Sequence, residues 1–233
     1  MVMGSRSRTS ILGTGHLKIS SSLILFQPNV KDLGVVLDSG LTMCDHISSV
    51  CRSAYLELRR IGSIRPFLTV EAAAELARSR ILSRIDYCNS LLAGNTSEQI
   101  AGLQKVQNHR ARLTFRKKRH DHVTPLLKKL HWLPVSERIV FKLATLSFRF
   151  FIGTLPPYLS CGLSSLLILQ IYSFFLSKTS DRPKGHLKSA GARSFQNQAP
   201  LVWKSLPLKI RLCSSFSSFK FQLKTHLLFT AFR

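Results

Sequence analysis

Residues 96–132, TSEQIAGLQKVQNHRARLTFRKKRHDHVTPLLKKLHW, decide how the rest of the chain is read. The stretch opens on a helix start: the Thr96 hydroxyl can accept backbone N–H groups while Gln99, three residues on, reaches back. Ile100, Leu103 and Val106 then recur at helical spacing, with Leu113 two turns further along. Lys105, His109, Arg112 and Arg116 are separated by four, three and four residues, which stacks them on one face. Residues 99–136 hold nine cations, among them Arg110, Lys128 and Lys129, against the single carboxylate of Asp121. The pattern predicts an amphipathic helix ending in Arg116-Lys117-Lys118-Arg119 and lying against phosphate.

Upstream, SSLILF and VKDLGVVLD are rich in Val, Ile and Leu and read as two short strands with a turn at Gln27-Pro28-Asn29. Gly34 inside the second suggests a bulge or a close backbone approach. From Asp45 the period becomes helical: Ile47, Val50, Ala54, Leu58 and Ile61 form one stripe that Gly62 can close. A second helix starts near Thr69 with Glu71 and Glu75 in its first turns, and lines up Ala73, Leu76, Ala77, Arg80 and Ile81. Downstream, Ser136 can cap a helix bearing Ile139, Leu143, Leu146 and Phe150, stopped by Gly153 and Pro156-Pro157. Residues 163–176 form an apolar run and 177–194 a basic linker. A last helix starts at Ser214 or Ser215 with Phe216, Phe219, Leu223 and Leu227 on one face. The expected fold is mainly α: a short two-stranded β element at the N-terminus followed by about five helices.

The charge narrows the choice of partner. Lys and Arg total 34 and Asp and Glu 11, a net charge of +23, while the hydrophobic content of 45% is that of a globular protein. Self-repulsion of that size opposes compaction unless a polyanion neutralises it. Nucleic acid is the usual one, and each neutralised phosphate makes binding salt-sensitive. From Arg182 onward ten cations meet no acid. The first 31 residues also lack any acid, as a mitochondrial presequence does, and a membrane surface is the rival anion. No run reaches the roughly 20 apolar residues of a span. The five cysteines fall in no Cys-x-x-Cys pair and fit a reducing compartment, nucleus or cytoplasm.

Catalytic chemistry finds little footing. Two-metal nucleotidyl transfer needs clustered carboxylates, yet no two of the eleven acids are adjacent. There is no phosphate-cradling G-x-x-x-x-G-K-[ST] loop and no G-x-S-x-G elbow. His120-Asp121-His122 lacks a third ligand at a recognised spacing. No cofactor is expected.

Several blocks then stand together: VKDLGVVLDSGLTMCDHI, SRIDYCNSLLAG, LQKVQNHRARL, HVTPLLKKLHWLPVSERIVFK, LPPYLS and GARSFQNQAPLVWKSLPLKIR. In this order they resemble the C-terminal, thumb and post-thumb part of LINE-type, non-LTR, jockey-like retrotransposon reverse transcriptases. The resemblance covers roughly residues 30–160 and 190–228. It implies a primer-grip strand at Lys31, Leu33, Gly34 and Val35, followed by helices that contact template and primer. The resemblance does not fix which cations touch backbone phosphates; from the charge pattern the candidates are Arg59, Arg60, Lys105, Arg112 and Arg116, with Lys117, Lys118 and Arg119. It also implies that the Y-x-D-D box and the earlier palm aspartate lie upstream of residue 30. Asp86-Tyr87 is not that box, since the order is reversed and no second Asp follows.

The resulting expectation is a truncated reverse-transcriptase fragment without its catalytic aspartates, retaining non-specific RNA or DNA backbone binding. Residues 1–29 would be a degraded palm end, 30–160 the primer grip and thumb, 161–194 a divergent run and linker, and 195–233 a C-terminal extension. A decay relic without function, or a basic membrane-surface or mitochondrial protein, are the alternatives.

Overall fold

The computed structural model describes residues 16–20, 22–156 and 193–233. Strands come first and helices follow, as expected, but the strands form two hairpins. β1 (His16–Ile19) pairs antiparallel with β2 (Ser22–Leu25), and β3 (Asn29–Asp32) with β4 (Val35–Asp38), as separate two-stranded sheets. VKDLGVVLD is therefore not one strand. Leu33 and Gly34 have φ of 44° and 84°, both left-handed, as a two-residue type I′ turn requires. Gly34 is a turn residue rather than a bulge.

Asp38 converts the hairpin into a helix start. Its carboxylate accepts the N–H groups of Gly40, Thr42 and Met43 at 3.1, 2.8 and 2.8 Å. Partial burial pushes this carboxyl up, but those hydrogen bonds outweigh it and hold it below the usual carboxylate range. Helix α1 (Cys44–Ile64) then buries Ile47, Ala54, Leu58 and Ile61, the stripe the spacing predicts. It runs through Gly62 instead of closing there. A Cβ on Gly62 would make an ordinary contact with Leu113 at 3.9 Å, so the position sits against α4 inside the helix and is not a cap.

Thr69 caps α2 (Val70–Ala77) by accepting the Ala72 N–H at 3.2 Å. A single π turn, Arg78–Leu82, joins it to α3 (Ser83–Asp86). The wider turn shifts the helical register, so Ile81 and Ile85 continue the buried line while Arg80 turns out to solvent. A 3₁₀ turn, Asn89–Leu92, leads to α4 (Ser97–Thr114), which carries the capping box of Thr96 and Gln99. α4 packs along α1: Gly102 sits beside Ile47 and Cys51, and Leu113 beside Gly62, so the two helices run parallel.

After α5 (Thr124–Lys129), α6 (Val135–Phe151) partitions the interior. Val135, Ile139 and Leu143 join a core with α1, α4 and Val35 of β4. Ala144 and Phe148 look the other way, into a second core with Trp203, Ile210, Phe219 and Leu223. Gly153, at φ 68°, closes α6: its N–H reaches Phe150 O at 3.1 Å and the Thr154 N–H reaches Arg149 O at 2.9 Å.

The second core draws on α7 (Phe195–Ser205), α8 (Leu208–Arg211) and α9 (Phe216–Ala231), with Phe148 stacked on Phe219 at 4.2 Å between ring centroids. Ser215 caps α9 and Phe219, Leu223 and Leu227 are buried, as their spacing predicts. α7 has no counterpart in the sequence reading, because Pro200 in its middle masks the helical spacing of Ala199, Val202, Trp203 and Leu206. The apolar run 163–176 and residues 177–192 of the linker lie outside the described residues.

Candidate functional site

The basic run Arg116–Arg119 does not extend α4. The helix ends at Thr114, Phe115 is its cap, and Arg116 takes a left-handed φ of 53°. The Arg116 N–H returns to Leu113 O at 3.2 Å and the Lys117 N–H to Arg112 O at 2.9 Å. This is a Schellman closure with arginine where glycine is usual. Lys117, Lys118 and Arg119 thus lie in an exposed loop, not on a helix face. Asp121, the only acid between residues 99 and 136, is held by its own loop: its carboxylate accepts the Lys118 N–H at 2.8 Å, and its carbonyl accepts Arg112 Nε at 3.1 Å. Its carboxylate is thus engaged by the backbone of its own exposed loop.

The predicted stripe divides by role. Lys105 stays exposed, but the His109 ring meets Tyr55, with Nδ1 at 3.1 Å from the hydroxyl. Arg112 pins the loop, and Arg116 Nη2 donates to Arg65 O and Pro66 O at 3.1 and 2.8 Å. Arg112 and Arg116 are loop supports first. Arg59 is exposed; Arg60 pairs with Glu57 at 2.8 Å, and Arg84 shares the same carboxylate at 3.5 Å.

The hairpin residues stand apart from this loop. The Leu33 carbonyl accepts the Tyr87 hydroxyl at 2.6 Å, and Val35 is buried, so the turn is docked at the N-terminal end of α1. The loop sits at the other end, beside Arg65. The 21-residue length of α1 separates the two by roughly 30 Å. Lys31, Leu33 and Gly34 are exposed there, and the structure does not merge them with the arginine-rich loop into one patch.

What gathers around the loop is a second set of cations. Lys128 and Lys129, on α5, are exposed in the same local surface, and Lys129 Nζ lies 5.3 Å from the Phe115 ring. Lys117, Lys118, Arg119, Lys128 and Lys129 have no ion pair among the described residues. Asp121 is the one carboxylate between residues 99 and 136, so cations outnumber acids on this surface by five to one.

Two arginines that matter were not singled out by the sequence. Arg65 is buried and donates to three carbonyls: Leu113 O at 3.0 Å, Leu68 O at 2.6 Å and Thr114 O at 2.5 Å. It ties the end of α1 to the end of α4, reaching the last-turn carbonyls of Leu113 and Thr114. Arg110 is fully buried, its guanidinium 3.5 Å from the centroid of Trp132, with no hydrogen-bond partner for any of its three nitrogens. Burial, reinforced by the charges of Arg138 and Arg78 and opposed by Asp86, pulls it down to about 9. The signal was present, since Leu103, Val106 and Arg110 follow helical spacing and place a cation on the apolar stripe.

Among the described residues, no group of three His, Cys, Asp or Glu could hold a metal ion. Among the same residues, no helix is long and apolar enough to cross a membrane. No family model, curated protein or solved structure matches the chain.

Proposed function

We propose that the chain is a nucleic-acid-holding module that grips RNA or DNA by its backbone without reading sequence. The observation that carries this reading is the surface of Lys117, Lys118, Arg119, Lys128 and Lys129, exposed and without an ion pair among the described residues, against the single carboxylate of Asp121. Such a surface gains free energy chiefly by displacing counterions from phosphates. The resemblance to the thumb and C-terminal part of LINE-type reverse transcriptases supplies the context, that of a support beside a polymerase palm. In this reading the chain holds a template or primer and performs no nucleotidyl transfer itself.

Fluorescence anisotropy of a labelled single strand, RNA or DNA, at several salt concentrations tests it. Affinity is expected to fall steeply with salt. The variant K117Q/K118Q/R119Q should flatten the dependence of log Kd on log salt by about 2 units, at some 0.7 per lost phosphate contact. An affinity that ignores salt, or a triple variant that binds as the parent does, overturns the proposal. Template-dependent primer extension by the chain with Mg²⁺ overturns the assignment of a holding role alone.

A further inference from the structure

A cleft of about 500 Å³, within the size range of small-ligand sites, opens beside Trp132 and includes none of residues 116–119 in its walls. Its walls come from the π turn, from the chain between α5 and α6, from α6, and from α9. The π turn contributes Arg78 and Leu82 from its two ends; such a turn widens the helix and re-aims its side chains, which is why π turns recur at functional sites.

The charge inside is one-sided. Asp86 is the wall's one carboxylate, and Arg138 neutralises it through a two-pronged contact, with Nε to Oδ1 at 2.7 Å. Arg78 is held loosely by Glu75 at 3.1 Å, with both side chains more than half exposed, so the pairing is weak. Lys142 and Lys224 reach the cleft from α6 and α9, are exposed, and have no ion pair among the described residues. Behind the wall, Arg110 holds a buried cation against Trp132 with no hydrogen-bond partner.

The cleft also carries features that inorganic phosphate would not use. Asn89, buried in its wall, has an Oδ1 with no hydrogen-bond partner, an acceptor that a hydroxyl or amine donor would satisfy. Phe141 and Trp132 add aromatic surface. A dianion, a donor group and a flat ring in one ligand describe a nucleotide with a terminal phosphate.

We propose that this cleft binds a nucleoside monophosphate group, its phosphate against Lys142, Lys224 and Arg78 and its nucleoside toward Asn89 and Phe141. An anion seated there also eases the cost of the buried Arg110 charge, which links occupancy to stability. The group can come from the phosphorylated end of a strand or from a free mononucleotide. The inference goes beyond backbone holding, because it requires a terminal phosphate and a different set of cations.

Isothermal titration of the full chain with adenosine 5′-monophosphate, with adenosine and with inorganic phosphate tests it. The monophosphate is expected to bind, adenosine not to, and inorganic phosphate to bind more weakly. K142Q and K224Q should each weaken the monophosphate about tenfold, the loss of one charge-assisted contact, without moving the thermal midpoint. K117Q/K118Q/R119Q should leave it unchanged, which separates this site from the backbone-holding loop. Absence of monophosphate binding by the folded chain overturns the proposal. So does binding that survives K142Q/K224Q or that falls with the loop variant. Displacement of a 5′-phosphorylated strand, but not its 5′-hydroxyl counterpart, by the monophosphate assigns the strand end as source. Failure to displace either, with monophosphate binding intact, assigns the free nucleotide.

Discussion

The guanidinium of Arg110 lies 3.5 Å from the centroid of the Trp132 ring, and none of its three nitrogens has a hydrogen-bond partner. A desolvated cation over an indole gains about 2 kcal/mol. Three unsatisfied nitrogens on a buried charge cost more than that. Arg110→Met, which keeps an apolar stem against Trp132, should therefore raise stability, by about 1–3 kcal/mol in urea melts at neutral pH. The pH dependence has a definite sign. With the folded-state pKa near 9 and the ordinary guanidinium value well above it, the unfolded chain holds a proton that the folded chain has released between those limits. Parental stability from this group thus rises with pH above about 9, and the advantage of the Met variant should shrink by about pH 10. A destabilised variant, or a gap that ignores pH, contradicts this account.

Arg65 makes the opposite case, a buried arginine whose donors are used. Its contacts to Leu68, Leu113 and Thr114 carbonyls close the end of α4 onto the end of α1. Arg65→Ala strands the buried Thr114 carbonyl and removes two part-buried bonds, and should cost about 2–4 kcal/mol. Arg65→Lys should recover little, because an ammonium cannot reproduce the planar fork. Denaturant midpoints of the three proteins measure it, and rescue by Lys would show that charge alone suffices.

These two residues show where sequence reading succeeds and where it stops. Thr96 with Gln99, the α1 stripe and the α9 stripe were legible because they depend on residues three and four apart. The π turn at Arg78–Leu82 was not, since its wider hydrogen bonding leaves no residue-type signature. Residues 116–119 read as helix because lysine and arginine suit helices; what stopped α4 was Arg116 entering a conformation that sequence normally marks with glycine. The cleft needs α9 beside α6, a pairing distant in sequence, so Lys142 and Lys224 carry no local sign of meeting.

Two glycines separate conformation from crowding. Gly153 has φ 68° and open space where a Cβ would stand, whereas at Gly94, φ 72°, a Cβ would come within 2.8 Å of Arg193 Cγ. Gly153→Ala should cost about 1–2 kcal/mol, the left-handed penalty alone. Gly94→Ala should lose a further 1–3 kcal/mol or so from overpacking. The damage should be directional, because Arg193 Nη1 donates to Asn95 Oδ1 at 2.9 Å and anchors the entry to α7. Hydrogen exchange should then quicken in α7 in the Gly94 variant and not in the Gly153 variant. Equal effects would show that the Arg193 contact carries no weight.

Leu33 breaks a local rule at the hairpin tip. It is 85% exposed and sits at φ 44°, where a branched apolar side chain is disfavoured and asparagine is at home. Its packing contributes little, and its carbonyl bond to Tyr87 belongs to the backbone. Leu33→Asn should therefore stabilise the chain by up to about 1 kcal/mol, raising Tm by roughly 2–4 °C. If the tip seats against primer and template, as the resemblance implies, the same variant should bind a primer–template duplex more weakly despite its higher Tm. Opposite movements of stability and affinity identify Leu33 as kept for contact. A variant that is stabilised and binds unchanged removes the hairpin tip from the interface and leaves the loop cations to carry it.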